Sequence, residues 1–149
     1  VVNLLATAAM TGVIWFVQIV HYPLMARVGA IDYPAYQVQH MRLTSWVVGP
    51  LMITEATTAV WLVLFQMTGF QLALAWRGLA LLCAIWLSTV LFQVPAHNHL
   101  LDAFDAAAHR RLVRTNWVRT TAWILRAVLM VVLVISFLST DSVGSTTFD

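Results

Sequence analysis

Charge is what this chain has least of. Only 9% of its 149 residues are charged and 61% are hydrophobic, whereas a soluble domain carries roughly 25% charged and about 45–50% apolar residues. The mean hydropathy is +0.84. No soluble core of this length needs so much apolar sequence, so a soluble domain is excluded and the lipid bilayer is the expected surrounding. Lysine is absent: all eight basic residues are arginine, thinly spread and without a long basic run. A nucleic-acid partner is excluded on that ground, although the net charge is +2. The single cysteine, Cys83 in "LALLCAIWL", can close no intrachain disulfide and reads as a small hydrophobe.

Apolar runs are what the chain has instead. A helix crossing the hydrocarbon core needs about 20 apolar residues, and four segments qualify: 4–22, 46–68, 72–94 and 117–138. Pro23, Gly69 and Pro95 close the first three, and a polar tail over 139–149 follows the fourth. The apolar residues run continuously and do not alternate, which argues against strands. The expected fold is an all-α integral membrane protein, a single four-helix domain over 1–149. The run 1–20 is longer and more evenly apolar than a signal peptide, with no small-residue cleavage site after it.

Spans two and three join through a tight turn, "MTGFQ", but the other two connections are long. "DYPAYQVQHMRLTSW" offers Asp32 as a cap and Pro34 in a first turn, and "DAFDAAAHRRLVRTNW" places aspartates early and arginines late. That polarity suits the helix macrodipole, so both are expected to be interfacial amphipathic helices at the bundle mouth. Arg27, Arg42, Arg110, Arg111 and Arg114 fall in these two loops. The positive-inside rule then places both loops in the cytoplasm and both termini outside.

Shifted by 71 residues, the chain overlays weakly on itself: Trp15 meets Trp86, Trp46 meets Trp117, and Pro23 falls one place from Pro95. Each half reads as span, interfacial helix, span, so a parallel repeat about a pseudo-two-fold along the membrane normal is expected. The same shift pairs Glu55 with Arg126, each nine residues into its span and so roughly 13 Å deep. An ionised side chain there costs at least about 2.5–3.5 kcal/mol unless paired. The two are expected to pair, either as a helix-locking salt bridge or as a charge element beneath a cofactor.

The five histidines, His21, His40, His97, His99 and His109, all fall near the long loops, hence on one membrane face. Neutral imidazole is the commonest protein ligand for zinc, copper and haem iron. His21 and His97 hold near-equivalent places in the two halves and are the first-choice ligands, with His40 and His99 next. A regular helix would turn His99 about 200° from His97, so both can serve one centre only if the backbone after Pro95 is irregular. Histidines are also ordinary at membrane interfaces, and no dedicated pattern such as H-E-x-x-H is present. Tyr22, Tyr33 and Tyr36, with Arg42, Asn116 and Arg119, converge on the same end as supporting polar groups. Near a haem the arginines would meet propionates; near a quinone or lipid headgroup, oxygens. Trp46, Trp76, Trp117 and Trp123 read as an aromatic belt.

Two motifs, "VHYPL" (20–24) and "NWVRT" (116–120), resemble those of an uncharacterised family of small bacterial four-helix membrane proteins. More distantly, the layout is similar to the HemJ-like membrane protoporphyrinogen oxidases and the CopD-like copper-resistance proteins. The shared theme is a small bundle with histidines near helix ends. The resemblance implies a bacterial inner-membrane location and, by analogy only, haem b. The functional expectation is a protein binding haem or a transition metal (Fe, Cu or Zn) through its histidines, with redox chemistry on a quinone or porphyrin. The alternative is a non-catalytic accessory subunit of a respiratory or photosynthetic complex. The expected assembly is a homodimer or a larger membrane complex; co-purifying partners would favour the accessory reading, and a stable isolated monomer or homodimer would count against it.

Overall fold

Four apolar runs separated by three connections fold into four helices. The computed structural model describes residues 1–66 and 69–144, so Met67 and Thr68 of the expected turn and the tail from 145 onward lie outside the described residues. The helices are α1 (Val2–Met25), α2 (Tyr33–Phe65), α3 (Gly69–His99) and α4 (Ala106–Ser139), each long and apolar enough to cross a membrane. There is no strand among the described residues. Each helix packs on its sequence neighbours, and α4 also packs on α1. Of the neighbouring pairs, α2 and α3 touch least. The ends joined by residues 26–32 and 100–105 gather at one face of the bundle, here called the mouth.

The helices run longer than expected, for two local reasons. Pro23 and Pro95 do not stop α1 and α3. A helical proline lacks an N–H and clashes with the carbonyl four residues earlier, here Ile19 and Leu91. Both carbonyls lie in π-turns, Val17–His21 and Thr89–Gln93, whose wider winding relieves the clash. The helices then continue to Met25 and His99.

The two segments expected as separate interfacial helices are instead the first turns of α2 and α4. Tyr33–Trp61 is one unbroken helix, and so is Ala106–Gly144. No glycine or proline separates either amphipathic stretch from the span that follows. At 33 residues, α2 is about 50 Å long, well beyond a hydrocarbon core of about 30 Å. Its first turns therefore form a wall of the mouth. At the opposite end Gly69 begins α3 with φ 53, a left-handed conformation suited to glycine.

Inside a bilayer, apolar packing gains little between helices, and close contacts with polar groups specify the arrangement. The interior is layered accordingly. Tyr22, Met25, Tyr33, Leu100 and Leu112 pack at the mouth, and Met10, Ile14, Ala59, Leu82, Ile85 and Trp123 form the middle. Leu74, Met130 and Leu133 close the far end. Trp123 is fully buried and so belongs to this core. It does not join the aromatic belt, because its position on α4 faces the bundle axis.

Candidate ligand site at the bundle mouth

The mouth gathers side chains from all four helices. The His21 and His40 rings stack with centroids 4.2 Å apart, and those of His40 and His97 lie 5.5 Å apart. Tyr36 stacks beside both His21 and His40. Its hydroxyl lies 3.4 Å from His21 Nε2, and Thr44 Oγ1 lies 3.1 Å from His40 Nδ1. Among the described residues His40 Nε2 has no hydrogen-bond partner.

His97 is more tightly defined. Gln37 Nε2 lies 3.0 Å from His97 Nδ1 and donates to the His97 carbonyl at 3.2 Å. Only the nitrogen end of the Gln37 amide can donate to a carbonyl, so it is the nitrogen that faces His97. Nδ1 is then the acceptor, and the proton of neutral His97 rides on Nε2. His97 presents a donor. An ion at Nε2 would need the other tautomer.

Not every expected ligand belongs here. His99 is turned away: its side chain is 66% exposed and lies 3.5 Å from Asp105. Regular helix over Val94–His99 keeps the rotation that separates it from His97. His109, expected to close the site from below, is instead buried in the mouth wall, where its Nε2 donates to the Tyr22 carbonyl at 3.0 Å. Arg42 is exposed and takes no part in the cavity.

Below the imidazoles lies a cavity of about 310 Å³, open on one side, at the small end of the roughly 300–1,000 Å³ of ligand sites. Met10, Ile14, Val48 and Met52 line its inner end; His40, His97, Tyr22, Gln93 and Arg119 give it a polar stripe toward the mouth. That stripe is braced by a relay. Arg119 Nη1 donates to Asn116 Oδ1 at 3.1 Å, and Asn116 Nδ2 donates to Gln18 Oε1 at 2.8 Å. Gln93 Nε2 donates to Thr115 at 3.1 Å, and the Tyr22 hydroxyl lies 3.5 Å from Gln93 Oε1. Gln18, Gln37 and Gln93 were missed by the sequence reading. Gln18 and Gln93 were findable, since an amide inside an apolar run needs a polar partner.

The second polar centre does not line the cavity. Arg126 Nε donates to Glu55 Oε1 at 2.5 Å, with both side chains fully buried. Thr7 Oγ1 donates to the same oxygen at 2.6 Å. Arg126 Nη1 donates to the Gly78 carbonyl and Nη2 to Asn3 Oδ1. The expected pair is therefore present.

As to a metal, bonds of about 2.0–2.1 Å put two imidazole centroids about 5–6 Å apart around one ion. The His40–His97 spacing meets this, while the His21–His40 stack is too close. Among the described residues, no group of three or more His, Cys, Asp or Glu is arranged to hold an ion. A closed zinc or copper site therefore does not fit. A haem, which brings four of its own iron ligands, needs only one or two imidazoles, and His40 with its unpartnered Nε2 fits that need. No family model, curated protein or solved structure matches the chain.

Proposed function

We propose that this is a multi-pass bacterial inner-membrane protein that holds a lipophilic redox group in its mouth cavity, haem b foremost. The observation that carries this reading is His40. Its ring sits in a run of three imidazoles at the polar end of an apolar cavity, with Nδ1 beside Thr44 and Nε2 unpartnered. A ligating histidine usually donates its other ring N–H to a neighbouring oxygen, the role Thr44 Oγ1 would take here. His40 would hold the iron, and bound haem would supply one-electron chemistry. Tyr36 and His21 brace the His40 ring, and Met10, Ile14, Val48 and Met52 exclude water. The test is the absorption spectrum of detergent-purified protein, oxidised and then dithionite-reduced, with iron analysis. A Soret band that His40→Ala removes supports the reading; no Soret band and no stoichiometric iron refutes it.

One observation favours a second ligand. The fixed Nε2–H of His97 suits a carbonyl oxygen better than a metal, which points to a quinone. Solvent extraction of the same preparation tests for it.

We infer, further, that the mouth faces the cytoplasm, from the arginines of its two loops, and that the halves are repeats. Glu55 and Arg126 stand 71 residues apart, as do their partners Thr7 and Gly78. Labelling of single cysteines placed at residue 29 and at residue 103, from each side of the membrane, tests the orientation.

A further inference from the structure

Eight arginines supply all the basic charge of the chain, and their fates differ. Arg27, Arg42, Arg77, Arg110, Arg111 and Arg114 are exposed, as snorkelling side chains are. Arg126 is buried but has Glu55. Arg119 is the exception: it is only 8% exposed, and no carboxylate pairs with it among the described residues. Its one hydrogen bond goes to the neutral amide of Asn116, and its Nε is buried without a partner. A guanidinium keeps its charge at every accessible pH, and a charge buried in a low-dielectric interior calls for a counter-charge. Arg119 lines the mouth cavity, and the Gln18–Asn116 relay holds it there.

We propose that Arg119 is an anion subsite of this cavity and that the ligand is an amphiphile carrying a carboxylate. The planar fork of a guanidinium matches a carboxylate, and the apolar inner wall takes the rest of the molecule. This rests on the reading that the cavity binds a lipophilic ligand, but not on iron. Two sources share the chemistry, a porphyrin propionate and a fatty acid.

The test uses the full chain in zwitterionic nanodiscs at neutral pH, with binding followed by quenching of tryptophan fluorescence. Protoporphyrin IX is compared with its dimethyl ester, and oleate with methyl oleate; none of the four contains iron. In wild type one of the acids binds about tenfold or more tighter than its ester, the size expected for a hydrogen bond to a charged group. Which acid shows the preference identifies the source. Arg119→Gln abolishes the preference, Arg119→Lys retains part of it, and His99→Ala, which lies outside the cavity, leaves it unchanged. Equal binding of acid and ester, no binding of either acid, or a preference that survives in Arg119→Gln overturns the proposal. Acid preference in a protein that shows no Soret band would end the haem reading and leave this one standing.

Discussion

Glu55 Oε1 and Arg126 Nε meet at 2.5 Å with neither side chain open to solvent. They come from α2 and α4, and the surrounding groups come from α1 and α3: Asn3, Thr7 and the carbonyl of Gly78. One ion pair thus ties all four helices. Neither side chain lines the mouth cavity, and the contacts to all four helices fit a lock on the fold.

Breaking one side of the lock leaves a bare charge. Glu55→Gln or Arg126→Gln alone is expected to destabilise the bundle by about 3–5 kcal/mol, and the double change by less than the sum. Reversible SDS unfolding followed by circular dichroism measures this. Additive losses would show that the two side chains act independently.

Gly78 lets Arg126 approach. A Cβ there would lie 2.6 Å from Met130 Cε and 3.0 Å from Arg126 Nη1. The methionine end can move, but the guanidinium is held by its bonds. Gly78→Ala should lower stability by about 1–3 kcal/mol. Gly49→Ala, where a Cβ meets nothing within 4 Å, should be neutral or stabilising by up to about 1 kcal/mol. The same unfolding assay separates the two.

His109 donates to the Tyr22 carbonyl, and His99 sits outside by Asp105. His109→Ala removes one of two donors to the Tyr22 carbonyl, leaving the Ala26 N–H at 3.3 Å, and should cost about 0.5–1.5 kcal/mol. His99→Ala should change neither stability nor any ligand spectrum. Thermal melts in detergent, read beside the absorption spectrum, check both.

Asp105 caps α4. Its Oδ1 accepts from the amides of Ala107 and Ala108 at 2.6 and 3.1 Å. These bonds, that of Ala108 first, hold its carboxyl below the ordinary value of 3.8. A depressed carboxylate adds stability that is fully present above its unfolded value and fades as the pH falls toward the folded one. The advantage of wild type over Asp105→Ala should therefore be full at neutral pH and decline below 3.8. Hydrogen exchange of the Ala107 and Ala108 amides across that range reads it directly.

The sequence disclosed what rests on cost and on chain order. An acid and a base buried in apolar runs must find each other, so Glu55 and Arg126 were legible. Histidines beside the two long loops must share an end, so the mouth was legible too. What depends on rotation about a helix was not. The π-turns before Pro23 and Pro95 carry α1 and α3 onward, and continuous helix through Val94–His99 turns His99 outward. His40 lies between His21 and His97 because α2 begins at Tyr33, a register no composition reveals. Arg119 was legible as a polar group of the mouth, but its burial without a carboxylate was not.

Ligand binding in the mouth cavity is proposed to turn on His40. The most direct measurement is the reduced-minus-oxidised absorption spectrum of the purified protein beside that of His40→Ala at equal fold content. A Soret shift in wild type that is lost in His40→Ala is the predicted result. Identical featureless spectra, with no iron in either sample, would contradict it.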